Sequence, residues 1–331
     1  MNELYLITGG AGHLGSTLVR KLLERQKKIR ILVLPDESNI PRGDIEVCYG
    51  DICNKDSLDS FFYNPDKKDL VVIHCAGIVS IASKYVQKVY DVNVSGTKNI
   101  VDLSNKYIVK KLIYVSSVHA IPDKKKGEII DEVSTFNPND VFGLYAKTKS
   151  EATSYVIEAT KEGLNASVVL PSAITGPFDK GRGHITVLVI DYYKKQLTAG
   201  INGGYDFVDV RDVADGIISC CEKGKKGESY ILSNKYFSIK EILFMLHEIT
   251  GKKEIKIFLP LWFLKIIASA AETYYKILKR PALFTAHSIE TLNTNLRFSN
   301  EKAKKGLGYT TRDMKETLSD TVIWLKEDQR I

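Results

Sequence analysis

The chain has 331 residues, of which 44% are hydrophobic and 26% charged, which is enough for one large domain or two joined ones with a substantial core. Its net charge of +7 is modest and its lysines are scattered without interleaved aromatic residues, which argues against a nucleic-acid-binding surface. The five cysteines lack metal-ligand spacing, so we expect reduced thiols and no bound metal. The first predicted strand leaves no room for a signal peptide, and no apolar run reaches the ~20 residues of a membrane span, so we expect a cytoplasmic protein.

Apolar runs that are typical of buried strands alternate with helical periodicity through the first half of the chain. Such alternation predicts an α/β fold in which helices cover both faces of a doubly wound parallel sheet. Ligands of these sheets lie beyond the carboxyl ends of the strands. The predicted strands cover 4–7, 29–34, 45–49, 70–74, 111–115 and 166–170, and the predicted helices cover 15–26, 55–62, 84–107 and 145–162.

A glycine-rich turn stands between the first predicted strand and the first predicted helix. Gly10, Gly12 and Gly15 give the dinucleotide-binding pattern G-x-G-x-x-G, and Gly9, Gly12 and Gly15 give G-x-x-G-x-x-G. Glycines permit the tight turn, the close approach of backbone to a pyrophosphate and the close packing of helix on strand. Because the N–H groups that begin the helix would face the phosphates, the sequence predicts a dinucleotide site here.

Serine, tyrosine and lysine side chains that could do chemistry occur at two later points. Ser116 and Ser117 directly follow the predicted strand 111–115, where a ligand would lie. Tyr145 and Lys149 are four residues apart in a predicted helix and therefore share one face. This order of glycine motif, serine and Tyr-x-x-x-Lys resembles the extended short-chain dehydrogenase/reductase superfamily, which includes NAD-dependent epimerases and dehydratases. The resemblance covers nearly the whole chain and implies that Ser117, with Ser116 as the alternative, is the site serine.

The resemblance also implies the domain organisation. Residues 1–175 are expected to form a dinucleotide-binding domain of the Rossmann type, to which 205–233 returns through a predicted helix at 212–223. Residues 176–204 and 234–331 are expected to form a smaller C-terminal α/β lobe that binds substrate. In this lobe, Ser238 and Glu241 form a capping box that begins a helix ending near residue 250, and a last amphipathic helix is predicted over 313–328.

The chemistry that these residue types permit is proton transfer to the oxygen of a carbonyl group whose carbon accepts a hydride. A phenol has a pKa near ~10 and donates protons poorly near neutrality. An ammonium about 4 Å away contributes roughly 4 kcal/mol at an effective dielectric constant of about 20, or about three pKa units, part of which desolvation opposes. We therefore expect Lys149 to lower the pKa of Tyr145, the acid or base, while Ser117 hydrogen-bonds the substrate oxygen.

The superfamily resemblance extends the site to cofactor contacts at the ends of the predicted strands. It implies that Lys149 also holds the nicotinamide ribose, that Asp51 contacts the adenine, and that Asn93 supports the site. The alternatives are a turn-forming acid for Asp51 and a buried asparagine with a structural partner for Asn93. The catalytic set is Ser117, Tyr145, Lys149 and Asn93; the cofactor set is Gly9, Gly12, His13, Leu14, Gly15, Asp36, Asp51, Ile52, Cys75, Ala76, Gly77, Asn93, Val115, Tyr145, Lys149, Pro171, Ala173 and Ile174.

The second predicted strand does not decide between NAD and NADP as the cofactor. An acid about 20 residues after the glycines would favour NAD, and an arginine there would favour NADP. Val33 and Leu34 occupy the usual positions of these residues. Asp36 therefore remains a candidate for binding the ribose, and Arg42 a more distant candidate for binding a phosphate.

Two positions favour an apolar substrate over a sugar nucleotide. Superfamily members that bind sugar nucleotides usually carry an asparagine where this chain has Ala173 and a diphosphate-binding arginine where it has Tyr205. Because a diphosphate strongly favours a bidentate arginine, the absence of this arginine argues against a sugar-nucleotide substrate, although Arg182 or Arg211 could replace it. We expect an NAD(P)-dependent oxidoreductase that interconverts a secondary alcohol and a ketone, or reduces an aldehyde. The alternatives are a sugar-nucleotide epimerase or dehydratase and a non-catalytic dinucleotide-binding regulator.

The last part of the chain carries an apolar, aromatic run over 258–271, followed by Lys276, Lys279 and Arg280. The run resembles a segment of bacterial proteins similar to 3β-hydroxysteroid dehydrogenases, and the superfamily also includes dihydroflavonol-reductase-like proteins. Residues 258–280 could wall an apolar pocket, lie on a membrane surface or form an ordinary buried helix. The resemblance further implies a small-molecule substrate and a homodimer in which helices 84–107 and 145–162 pair across a two-fold axis.

Overall fold

The computed structural model describes residues 3–80, 85–125, 127–181, 183–262 and 296–331. Its strands in chain order are β1 Glu3–Thr8, β2 Lys28–Val33, β3 Glu46–Tyr49, β4 Asp69–His74, β5 Lys111–Val115, β6 Ala166–Pro171, β7 Ala173–Thr175, β8 Gly200–Ile201, β9 Gly204–Asp209, β10 Ser229–Leu232, β11 Lys235–Ser238 and β12 Phe258–Leu259. Its helices are α1 His13–Glu24, α2 Asp59–Phe62, α3 Gln87–Tyr90, α4 Gly96–Lys106, α5 Leu144–Lys161, α6 His184–Tyr193, α7 Val210–Lys223, α8 Ile239–Thr250, α9 Glu301–Leu307 and α10 Met314–Glu327.

Seven parallel strands form the central sheet, in the order β10-β6-β5-β4-β1-β2-β3. The chain runs from β1 outward through β2 and β3, and then returns to the other side of β1 with β4. This reversal makes the cleft above the carboxyl ends of β1 and β4 the topological switch point at which ligands bind in such sheets. The predicted doubly wound parallel sheet is confirmed.

Both faces of this sheet are buried, as the apolar strands predicted. Leu4 and Leu6 of β1 face a core cluster that includes Ile100 of α4 and other residues of α4 and α5. Tyr5 and Ile7 face the opposite cluster, to which α1 and α7 contribute. Alternate residues of one strand therefore serve two cores, which explains why the strand sequence is apolar throughout rather than alternating.

A smaller α/β lobe follows the central sheet, also as predicted. It contains a three-stranded sheet of order β11-β9-β7, in which β7 and β9 are parallel and β11 is antiparallel to β9, and a parallel pair of β8 and β12. A third core cluster joins this sheet to α6, α8 and α10. The sequence pattern missed α6, α9 and the strands from β7 to β12. Of these, β7, β8 and β12 are only two or three residues long and α6 lacks a clear polar face, whereas β9 has the same six-residue length as β1.

Two predicted helices differ in detail from the structure. The region 55–62 begins as a 3₁₀ turn, Lys55–Leu58, and only then becomes α2. The predicted helix 84–107 begins at Gln87 and contains one π-helical turn, Asp91–Ser95, between α3 and α4. A π turn inserts one extra residue and often marks a functional position, and this one carries Asn93.

The outer face of α4 and α5 carries polar side chains that pair with one another. Tyr155 Oη donates to Asp102 over 2.7 Å, and Tyr90 Oη donates to Glu151 over 2.8 Å. Lys98 lies 3.4 Å from the Glu151 carboxylate. The homodimer through these helices stays a prediction.

The apolar run predicted over 258–271 is described only as far as residue 262. Phe258 and Leu259 form β12 beside β8, and Trp262 is 65% exposed. The remainder of that run, Lys276, Lys279, Arg280 and Arg182 lie outside the described residues. None of the described helices has both the length and the apolarity that crossing a bilayer requires.

Candidate functional site

The glycine turn between β1 and α1 lies at the switch point of the central sheet. Gly9 has a φ of +68°, and a Cβ there would lie 2.9 Å from the backbone nitrogen of Ala76. A Cβ on Gly15 would overlap the carbonyl oxygen of Gly9. At Gly12, whose N–H donates to Gly9 O over 3.0 Å, a Cβ would approach only that oxygen among the described atoms, at 3.3 Å. Gly9 and Gly15 thus serve packing, whereas Gly12 leaves room for a phosphate.

His13 and Leu14 begin α1 directly above this turn. The Nε2 atom of His13 lies 2.9 Å from the carbonyl oxygen of Pro177, in the loop that follows β7. Burial lowers the pKa of His13, so the ring is neutral and its Nε2–H donates to that oxygen. The first turn of α1 contains no acidic residue, which leaves its N–H groups suited to an anion.

The residues predicted to contact the adenine end lie beside β2 and β3. Asp51 is exposed at the end of β3, and its Oδ1 accepts a hydrogen bond from Cys53 N over 2.9 Å. Ile52 is buried where a Cβ on Gly96 would come within 2.6 Å of its side chain. Asp36 is exposed in the turn after β2. The structure therefore places these three residues directly after the carboxyl ends of β2 and β3.

Asn93 connects the loop after β4 to α5. Its Oδ1 accepts from Ile78 N over 2.8 Å, while its Nδ2 donates to Ile78 O over 3.0 Å and to Thr148 Oγ1 over 3.1 Å. A Cβ on Gly77 would lie 3.2 Å from Asn93 Oδ1 and 3.4 Å from Lys149 Nζ. The amide of Asn93 is thus engaged with protein groups, and it holds Gly77 beside Lys149.

A buried chain of hydrogen bonds lies below Cys75 and Ala76. Thr8 Oγ1 is 2.6 Å from His74 Nδ1, and His74 Nε2 is 3.0 Å from Thr97 Oγ1. Since Thr97 donates its own hydrogen to Asn93 O over 2.7 Å, it accepts from His74 Nε2–H, and Thr8 donates to Nδ1. His74 is therefore neutral, and burial lowers its pKa to about 3.

The two serines after β5 make different contacts. Ser116 Oγ lies 2.6 Å from Thr153 Oγ1 on α5, which in turn donates to Lys149 O over 2.6 Å. Ser117 Oγ accepts a hydrogen bond from the backbone N–H of His119 over 3.2 Å, and the Ser117 hydroxyl opposes part of the rise that burial causes in the pKa of the Tyr145 phenol. The structure thus brings Ser117 to Tyr145, whereas Ser116 serves to fix α5 against the strand.

Lys149 lies against the end of β5. Its Nζ donates to Val115 O over 2.9 Å and sits 5.0 Å from the ring centre of Tyr114, and burial lowers its pKa to about 8. Burial also raises the pKa of Tyr145, and the hydrogen bond from Ser117 offsets part of that rise. The prediction of a lowered Tyr145 pKa is therefore wrong for the protein chain by itself, because desolvation is the largest influence on this phenol.

The chain changes sheets beside the site. Pro171 ends β6 of the central sheet, whereas Ala173 and Ile174 lie in β7 of the small sheet. Ser172, between them, donates to Asp206 Oδ1 over 2.6 Å. Arg211, considered above as a substitute diphosphate ligand, is instead ion-paired with Asp209 and Asp320.

Two site residues were missed by the sequence analysis. His119 Nε2 lies 2.8 Å from the hydroxyl of Tyr205, and the His119 ring stands edge-on to Tyr145 with 6.0 Å between ring centres. The signal that could have identified His119 was its position two residues after Ser117. Tyr205 was noted only for the arginine it replaces, since β9 was not recognised as a strand facing the site.

Comparisons with known proteins agree with this fold. Residues 5–233 match the model of a family described as NAD dependent epimerase/dehydratase. The chain is 29% identical to sterol demethylase protein B of Methylococcus capsulatus, over 97% of this chain and 98% of that protein. It is 28% identical to 3beta-hydroxysteroid-dehydrogenase/decarboxylase isoform 1 of Arabidopsis thaliana, over 92% of this chain and 75% of that protein. The crystal structure of a protein called gox2253 superimposes with a TM-score of 0.83, 28% identity and full coverage of both chains.

Proposed function

Because this chain belongs to the NAD-dependent epimerase/dehydratase family, we propose that it is an NAD(P)-dependent oxidoreductase acting on a mainly apolar substrate. It interconverts a secondary alcohol and a ketone, or reduces an aldehyde. The observation that carries this proposal is the position of Tyr145 at the start of α5, within the influence of the Ser117 hydroxyl and one helical turn before Lys149, whose buried Nζ donates to Val115 O at the end of β5.

The glycine turn and the loop after β4 fit a dinucleotide. Gly12 leaves space above the first turn of α1 for a pyrophosphate, and Gly77 keeps the approach to Lys149 Nζ open. Lys149, Asn93 and the end of β5 would hold the nicotinamide half, and Asp51 with Ile52 the adenine half. A bound nicotinamide dinucleotide would supply or accept the hydride.

Tyr145 gives or takes the proton in this mechanism. In the reducing direction, the Tyr145 Oη–H donates to the substrate carbonyl oxygen as negative charge develops on that oxygen. The Ser117 hydroxyl favours the phenolate, and the buried ammonium of Lys149, one helical turn along α5, would add a favourable charge as the phenolate forms. Because burial raises the pKa of Tyr145, the proton leaves only when the substrate oxygen becomes basic, which couples the proton step to hydride transfer.

Exposed apolar side chains in the loops that follow β4 and precede α5 support an apolar substrate. Val79 follows Ile78, whose backbone N–H is bonded to Asn93, and Phe142 lies just before α5. Each of the two side chains is 72% exposed. Arg211, the described candidate for binding a diphosphate, is engaged with Asp209 and Asp320. The names of two relatives mention a sterol and a hydroxysteroid, which are fused-ring compounds without phosphate groups.

Tyr145→Phe tests this proposal, with Tyr236→Phe as the matched control on the outer strand β11. A panel of ketones, aldehydes and secondary alcohols is assayed by nicotinamide absorbance with each cofactor in turn. Loss of the proton donor is expected to lower turnover by at least ~10³-fold, while the cofactor Kd stays within about twofold. Turnover by Tyr145→Phe at the wild-type rate would refute the mechanism.

A sugar-nucleotide epimerase is the second candidate, because the matching family includes epimerases. It would use the same Tyr145 with a tightly held NAD. Epimerisation of UDP- or dTDP-sugars by the purified protein without added cofactor distinguishes it from the oxidoreductase. The outcome expected here is no sugar turnover and a dependence on added NADH or NADPH.

A further inference from the structure

His119 lies in the 3₁₀ turn Val118–Ala120, directly after the site serine. Its backbone N–H donates to Ser117 Oγ over 3.2 Å. A hydroxyl oxygen that accepts on one side keeps its own hydrogen for another partner, and the Tyr145 ring lies beside this turn, with 6.0 Å between its centre and that of the His119 ring. The direction of the Ser117 proton therefore depends on where this turn places the N–H of His119.

The side chain of His119 anchors the same turn to the small sheet. Its Nε2 lies 2.8 Å from Tyr205 Oη on β9, and its ring stands edge-on to Tyr145 and Tyr205 at 6.0 and 5.9 Å between ring centres. Burial raises the pKa of Tyr205, so its hydroxyl keeps its proton near neutrality. The hydrogen bond links the turn after β5 to the sheet that also carries Ala173 and Ile174.

We propose that His119, held by the hydroxyl of Tyr205, is a positioning residue that aims the Ser117 hydroxyl at Tyr145. This inference rests on the proposed oxidoreductase function. The backbone of His119 touches the serine, and the side chain fixes that backbone from across the cleft. Neither side chain needs to touch the reacting atoms for the pair to set the geometry of proton transfer.

Three matched substitutions separate positioning from packing. Tyr205→Phe removes one oxygen atom and keeps the ring. His119→Phe keeps a flat ring between Tyr145 and Tyr205 but removes both nitrogens. His119→Gln restores a polar group at similar reach. Thermal unfolding identifies any variant that fails to fold. If a His119 variant fails to fold, Tyr205→Phe, which deletes a single hydroxyl group, still tests the inference.

The expected result is a fall in kcat with both phenylalanine variants. Misdirection of the Ser117 proton is expected to lower kcat by ~10- to ~100-fold, with the KM for the dinucleotide unchanged. His119→Gln is expected to recover kcat to within ~3-fold of the wild type, because it can still pair with Tyr205. The double variant with both phenylalanines is expected to be no slower than the slower single variant, since both substitutions break one hydrogen bond.

Two results would overturn the inference while leaving the oxidoreductase intact. One is wild-type kcat in both phenylalanine variants, measured where the wild type turns over and Tyr145→Phe does not. The other is a double variant whose loss equals the product of the single losses, which would mean that the two side chains act independently. If the wild type turns over no alcohol or carbonyl compound, the proposed function fails, and this inference fails with it.

Discussion

On the side of Tyr145 that faces the glycine turn, polar side chains are buried and paired, whereas the side that faces the small sheet is aromatic and partly exposed. Thr8, His74, Thr97 and Asn93 form a continuous hydrogen-bonded chain on the first side. On the second side, described polar contact is concentrated in the pair of His119 and Tyr205. Because a buried donor or acceptor left unpaired costs ~1–3 kcal/mol, the first side tolerates little change. The difference suggests that the cofactor half is fixed by its folding, while the substrate half is free to vary.

The largest effect is expected from the glycines, which are the strictest part of the cofactor half. Gly15→Ala places a Cβ onto the carbonyl oxygen of Gly9, so α1 must shift, and we expect a loss of about 3 kcal/mol in the free energy of unfolding. Gly12→Ala meets only Gly9 O, at 3.3 Å, and should cost less than ~1 kcal/mol in stability while weakening dinucleotide binding about 100-fold.

Urea unfolding and fluorescence titration with NADH and NADPH measure both quantities for the two glycine variants. The comparison holds if Gly15→Ala lowers stability and Gly12→Ala lowers only affinity. Equal stability losses in the two variants would contradict the division of the turn into a packing glycine and a phosphate-facing glycine.

The cofactor half was also the half that the sequence predicted best. The buried run Leu4–Ile7 and the glycines after it have the strand–turn–helix signature at a spacing that few other folds use, and the structure has β1 and α1 there. Periodicity reports a long element well, since each residue adds evidence for the same face. It reports a three-residue strand such as β7 poorly, so the change of sheet after Pro171 was not foreseen.

The hydrogen-bond partners of the site residues were less predictable than the positions of the helices and strands that carry them. Spacing placed Tyr145 and Lys149 on one face, but it could not show that Lys149 donates to Val115 O or that burial dominates the pKa of Tyr145. Contacts between distant segments, such as that of His119 with Tyr205, which lies 86 positions later in the sequence, leave no local pattern. These contacts depend on tertiary packing, which a single sequence does not display.

An effect of about the size expected for Gly15→Ala is expected when the buried hydrogen-bond chain around His74 is tested by lowering the pH. His74 has its pKa lowered to about 3 by burial, whereas the unfolded chain binds the proton near pH ~6.5. As the pH falls below ~6.5, only the unfolded state gains a proton, so stability falls by about 1.4 kcal/mol for each pH unit. His74→Gln removes this titration, and the wild type is expected to lose roughly 3 kcal/mol more than this variant between pH ~7 and ~4.

Urea unfolding of both proteins across this pH range measures the difference. His184→Gln, at an exposed position on α6, is the control and should retain the wild-type slope. An identical pH slope in His74→Gln and the wild type would show that His74 is not the group held neutral, and that the buried network is less rigid than the hydrogen bonds indicate.

The smallest effect is expected on the substrate half, at Phe142. This side chain is 72% exposed and lies three residues before Tyr145, so we expect an apolar substrate bound at Tyr145 to cover part of its ring. Burial of part of the ring by substrate contributes ~1 kcal/mol, so Phe142→Ser should raise the substrate KM about fivefold and leave the cofactor KM unchanged. Steady-state kinetics check this, with Ile108→Ser as the control, because Ile108 is 88% exposed in the loop between α4 and β5. A fivefold change in cofactor KM instead would place Phe142 on the dinucleotide side. The start of α5 would then belong to the fixed cofactor half of the site and not to the variable substrate half.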